Sequence, residues 1–173
     1  MGANHHIVVA AAGLAGLPVA GQAAELNVSL ELPKMTVAEY HRPYVAVWIE
    51  GADQAAVKTL AVWYDVKKRD NEGVTWLKDM RQWWRKAGRT TTMPIAGVSG
   101  PTKAPGKQQL VFTRQQMTGV APGAYNLVVE AAREVGGREV LRAPFVWGAK
   151  GAAKTSTVQG TSELGAISVT AEP

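Results

Sequence analysis

The chain has 173 residues, 46% of them hydrophobic and 19% charged, a composition that suits one globular domain with a substantial core. It has no cysteine, which excludes disulfides, thiol catalysis and thiolate metal sites. The net charge of +5 permits anionic partners, yet the Lys and Arg residues are scattered, which fits a solvated surface and gives no sign of a nucleic-acid interface.

Residues 1–24 carry no Lys, Arg, Asp or Glu, and residues 7–20 are almost wholly apolar and small. The run is too short and too rich in Gly and Ala for a membrane span. It ends in Gly21-Gln22-Ala23, with small residues where a signal peptidase cuts. The expectation is a cleaved signal peptide over 1–23 and a single periplasmic domain over 24–173, with no transmembrane segment in the mature chain.

Strict alternation from Leu26 to Leu32 predicts a half-buried strand that Pro33 ends. Val45 to Glu50 and Val57 to Tyr64 predict two more, joined by a short turn as an antiparallel hairpin. Leu60, Val62 and Tyr64 are placed on one face, Thr59, Ala61 and Trp63 on the other. A helix is predicted over about 75–87, capped by Thr75 and stopped by Gly88. Leu77, Met80 and Trp84 form its apolar face, with Trp76 and Trp83 flanking, as suits a lid that plugs the open edge of a sandwich.

Residues 95–106, Ile-Ala-Gly-Val-Ser-Gly-Pro-Thr-Lys-Ala-Pro-Gly, hold three glycines and two prolines. This density predicts a long loop with Ser99 and Thr102 around a Gly100-Pro101 turn. Strands follow over 108–114, 124–134 and 138–147. In the last hairpin, a three-residue loop at Val135-Gly136-Gly137 places Glu134 opposite Arg138, Arg133 opposite Glu139 and Glu130 opposite Arg142. All three are opposite-charge pairs. Residues 148–162 lack periodicity and read as an exposed loop, and 164–170 as a closing strand. The fold class expected is mainly β: an immunoglobulin-like two-sheet antiparallel β-sandwich with one short helix.

Few catalytic constellations are available. Outside the leader there is a single histidine, His41, so His-based metal clusters and Ser-His-Asp triads have little to build on. No glycine-rich phosphate loop opens a helix. Asp65, Asp70, Glu72 and Asp79 lie close in sequence and read as ordinary loop and helix-start acids. No catalytic residue and no metal site is expected.

Several stretches carry a resemblance: Arg42 to Glu50, Leu77 to Trp84, Val98 to Gly106, Pro122 to Tyr125, Val129 to Gly136 and Leu164 to Ile167. In this order they resemble a family of predicted periplasmic proteins, domain of unknown function 2271. The resemblance implies a periplasmic sandwich, a genomic neighbourhood of PepSY-type membrane proteins, flavin transferases and iron-uptake components, and no established activity. The family's usual text in the central loop resembles Asp-x-x-Ser-Gly-Ala-Thr, the kind of text a periplasmic flavin transferase reads when it joins FMN to a threonine hydroxyl. Ser99, Gly100 and Thr102 fit that text. Ala96 stands where the Asp would be, and Pro101 replaces the Ala. Two functions are therefore expected in order: a non-enzymatic accessory or binding protein beside a membrane flavin or iron redox system, needing no cofactor of its own, and an electron carrier with FMN attached to Thr102.

Overall fold

The computed structural model describes residues 25–173; the expected leader lies outside them. Two sheets form the sandwich. The first has the order β5-β1-β9-β8, built from β1 (Glu25–Leu32), β5 (Gly106–Thr113), β8 (Lys154–Gln159) and β9 (Ala166–Ala171). The second has the order β4-β3-β2-β6-β7, built from β2 (Tyr44–Glu50), β3 (Ala56–Tyr64), β4 (Ser99–Pro101), β6 (Gly123–Ala132) and β7 (Arg138–Trp147). All neighbours run antiparallel except β3 and β4, which are parallel. The chain is thus a mainly β, two-sheet sandwich, as its alternation predicts.

The interior follows from that alternation. Leu26, Val28, Leu30 and Leu32 of β1 meet Val45, Val47 and Ile49 of β2 and Leu127, Val129 and Ala131 of β6, all buried. The apolar area removed from water there is the main term favouring the fold.

The outer face of the five-stranded sheet is buried as well. Ala46, Trp48, Val62, Tyr64 and Val128 pack beneath Leu77, Met80 and Trp83. The helical segment is therefore a lid over a sheet face, and the expectation that it plugs a sandwich edge is corrected. It is also no continuous helix. Short α1 (Glu72–Thr75) leads into a 3-10 turn, Trp76–Asp79, and then α2 (Arg81–Lys86). Met80, at ψ 73°, breaks the helical path. The break turns Trp83 inward, fully buried, and leaves Trp84 at the margin of the cluster.

Three other expectations change. First, β2 and β3 shift register between Val47 and Trp48, so Val47 faces Ala61 and Trp48 faces Thr59. A bulge flips the alternation of side chains, and Leu60 joins Ala61 and Trp63 in the interior. Second, residues 99–101 form an edge strand, and Val62 N donates to Val98 O at 3.0 Å beside it. β4 lies at the sheet edge, where the N–H that Pro101 lacks needs no partner on the open side, so Gly100 and Pro101 do not prevent the pairing. Third, β8 lies within the stretch read as loop. Thr155 and Thr170 hydroxyls meet at 2.7 Å across β8 and β9, a pairing that hydropathy does not reveal.

The β6–β7 hairpin keeps its predicted faces but slips by two residues. Ala132 faces Arg138 and Leu127 faces Ala143. The charges expected to pair across the strands have other partners. Arg133 reaches Glu163, Arg142 reaches Glu50, and Glu139 accepts backbone N–H groups of residues 161–164. Charge-assisted bonds to shielded groups outweigh exposed cross-strand pairs.

Candidate functional site

One end of the five-stranded sheet opens into a cleft of about 780 Å³. The topology explains its contents. Parallel strands β3 and β4 both end there, with Tyr64 in register with Pro101, so Asp65 and Thr102 emerge side by side. Antiparallel β2 begins there at Tyr44, preceded by Tyr40, His41 and Arg42. The β6–β7 turn supplies Arg133 and Arg138, and the lid supplies Trp76, Asp79 and Arg81. A shallower depression of about 300 Å³ adjoins it at Asp65, Lys68 and Pro101.

The walls combine rings and charge. Trp76 is 44% exposed, a large apolar ring left open to solvent. Burial pushes the pKa of the Tyr44 phenol up to about 12 and raises that of Tyr40. Five cations line the cleft, Arg42, Lys68, Arg81, Arg133 and Arg138, against the acids Asp65, Asp79 and Glu134. Lys68 stands 3.9 Å from Asp65, and His41 hydrogen-bonds Glu39 at 2.7 Å and approaches Glu134 at 3.6 Å.

Arg133 is held with unusual definition. Its Nε and Nη2 donate to the two oxygens of Glu163 at 2.8 and 3.1 Å. Its guanidinium lies 5.9 Å from the centre of the Tyr40 ring. On the turn side it packs against the backbone of Gly136, where an added Cβ would fall 2.4 Å from Arg133 Cζ. Glu163 also accepts from Gly137 N at 2.7 Å, which ties the β6–β7 turn to the turn before β9.

Two fully buried carboxylates fasten the lid, Glu130 near the cleft end of the sheet and Glu50 at the far end of β2. Glu130 accepts from Gln82 N at 3.1 and 3.0 Å and from Trp83 N at 2.8 Å, and pairs with Arg138 at 2.9 Å. It caps α2 from a neighbouring strand, the role expected of Thr75, which makes no such bond. Glu50 accepts from Trp48 Nε1 at 3.1 Å, Lys86 at 2.6 Å and Arg142 at 3.0 Å. Burial alone would raise its pKa, but Lys86 and Arg142 prevail and lower it.

Of the three residues expected as a site, Thr102 alone lines the cleft. Ser99 Oγ accepts from Ile95 N at 2.9 Å and stabilises the turn before β4. Gly100 pairs with Trp63 in the sheet, and a Cβ there would meet Trp63 only at an ordinary 3.7 Å. The loop expected to be free is thus largely scaffold that delivers Thr102 to a cleft wall. Sequence reading missed Tyr40, Tyr44, Arg133 and Arg138, which come together through strand ends far apart in the chain. Asp65 and Asp79 both reach the cleft, and among the described residues no group of three His, Asp or Glu side chains is placed to hold a metal.

The fold and site define a class: a β-sandwich with one sheet face under a short helical lid and a cationic, aromatic cleft at the sheet's end. Residues 25–166 match the family described as Predicted periplasmic protein (DUF2271), and the chain belongs to that family. No curated protein and no solved structure matches the chain. Among the described residues, no helix is long and apolar enough to cross a membrane.

Proposed function

We propose that the chain is a non-enzymatic periplasmic accessory or binding protein, exported by a leader cleaved after Ala23, which works beside a membrane flavin or iron redox system. The cleft carries this reading: it is large and holds an exposed Trp76 beside several cations. Rings and guanidinium groups on a rigid sheet end suit recognition of a partner. A PepSY-type membrane protein fits the family's genomic setting. The test is a photo-crosslinking residue in place of Trp76, with the same residue in place of Val111, an exposed position on β5, as control. Adducts with a membrane redox protein from position 76 alone support the proposal. No adducts, or the same adducts from both positions, would sink it.

A second reading has one observation in its favour: Thr102 stands in the wall of this cleft. A periplasmic flavin transferase would join FMN to Thr102 Oγ1, forming the P–O bond as a nucleotide leaving group departs from an activated flavin phosphate. The hydroxyl proton would pass to the transferase. Tyr40, Tyr44 and Trp76 would hold the ring, and Arg42 and Lys68 would face the phosphate; the flavin would supply one-electron chemistry. Ala96 and Pro101 depart from the family's text, and the pairing of β4 restrains the acceptor. An intact mass raised by one FMN, and restored in Thr102→Ala, would establish this reading. An unmodified mass after co-expression with a transferase would remove it.

A further inference from the structure

The β6–β7 turn contains a buried donor with no acceptor. The Arg133 side chain is 7% exposed, and its Nη1 is buried with no hydrogen-bond partner. A guanidinium offers five N–H donors, and the side-on fork to Glu163 uses only the Nε and Nη2 edge. A buried N–H left without an acceptor opposes folding, because it loses its bond to water and gains none in return. Such a group asks for an explanation beyond packing. The same side chain lines the cleft, next to Arg138, with Arg42 and Arg81 adding further cations to the wall.

The surroundings hold this guanidinium in place. Glu163 orients the guanidinium from one edge, the Tyr40 ring covers one face, and Gly136 admits the other without a side chain. Arg138 is held by Glu130 through Nη1 only. The acids of the wall are in part engaged, Asp65 near Lys68 and Glu134 near His41, while Asp79 remains on the lid side.

We infer that Arg133 Nη1, with Arg138 and Arg42, forms an oxyanion-binding subsite that takes the phosphate or carboxylate group of a small ligand entering the cleft. The inference rests on reading the cleft as a binding surface. A planar guanidinium already fixed on one edge is preorganised for a second acceptor, so little conformational entropy is lost when the anion arrives. Arg138 and Arg42, which line the same cleft, balance the added charge.

The test is calorimetric titration of the full chain at neutral pH with inorganic phosphate, and separately with acetate, at ionic strength held constant with chloride. Saturable binding of phosphate is expected. A preference for phosphate identifies a phosphorylated ligand, and equal binding of acetate a carboxylate one. The double substitution Arg133→Met with Glu163→Leu removes both buried charges together, so neither is left alone, and should weaken binding at least about tenfold. Gly136→Ala, which pushes the guanidinium out of place without changing charge, should weaken binding too, and decides the matter if the double variant fails to fold. Val111→Ala, at an exposed position on β5 away from the cleft, should bind as the unaltered chain does. No saturable heat with either anion, or undiminished binding in the Gly136→Ala chain, would overturn the inference. Crosslinks retained from position 76 alongside absent anion binding would remove the subsite and leave the cleft's role standing; loss of both would remove the cleft reading itself.

Discussion

The five-stranded sheet has two buried faces that are built differently. On the inner face, Val45, Val47, Ile49, Leu127 and Val129 meet the aliphatic side chains of the other sheet, and shape alone selects their partners. On the outer face, Trp48, Val62, Tyr64 and Val128 lie beside the buried carboxylates Glu50 and Glu130. Apolar contact is non-directional and tolerates sliding. A carboxylate that accepts two backbone N–H groups of α2 and one arginine does not. The lid is a short element with little helical stability of its own, so its position depends on acceptors fixed in β2 and β6. The inner face supplies cohesion, while the outer face supplies the alignment that brings Trp76, Asp79 and Arg81 to the cleft.

The sharpest way to break this comparison is Glu130→Ala. It leaves Arg138 and the first N–H groups of α2 without their acceptor, and the expected loss is about 3–5 kcal/mol in urea unfolding. Hydrogen exchange at Gln82 and Trp83 should rise more than at Val129, since the lid loses its anchor while the interior does not. A loss below about 1 kcal/mol would show that apolar packing alone seats the lid. Leu30→Ala, on the inner face, should cost about 2–5 kcal/mol, with lid and interior amides exposed together. Preferential opening of the lid in that variant would contradict the division of roles.

Two smaller effects lie outside both faces. Burial would raise the pKa of Glu139, but the N–H groups of Thr161, Leu164 and Ser162 outweigh it and bring it from 4.5 to about 2. The carboxylate therefore stabilises the fold fully above about pH 4.5 and loses that contribution as pH falls towards 2. Thermal midpoints compared at pH 7 and pH 3 should differ less in Glu139→Gln than in the unaltered chain; an equal difference would reject the assignment. Val135 sits at φ 52° in the β6–β7 turn and is 73% exposed. A β-branched residue is strained there, and Val135→Gly should raise stability by about 0.5–1 kcal/mol despite glycine's larger chain entropy. A lower melting temperature would show that the turn draws stability from that side chain.

The strands with clean alternation were legible from sequence, because a half-buried strand writes its inner face into every second residue. Leu26 to Leu32 is the plainest case. What escaped was whatever depends on main chain or on distant partners. The Ser99–Pro101 strand pairs through backbone at an edge, and β8 contributes little apolar surface, with Val158 its main core contact. The charges of residues 130–142 suggest a hairpin register because opposite signs recur there, yet Arg133, Arg142 and Glu139 find their partners in Glu163, Glu50 and the turn at 161–164, which no local pattern names, and Arg138 pairs with Glu130. Thr102 was legible as an exposed-loop hydroxyl. The cleft around it was not, since it forms where strand ends separated by up to about a hundred residues converge.

The cap that Glu130 places on α2 also sets an order of events. Its bonds to Gln82 and Trp83 span 48 and 47 residues of chain, whereas the β6–β7 hairpin closes locally. A helix of six residues has no stable existence before its acceptor is in place, and bringing the two together means closing a long loop. The lid therefore settles only once β6 is in place to receive it. Until it settles, the cleft lacks the wall that Trp76, Asp79 and Arg81 supply.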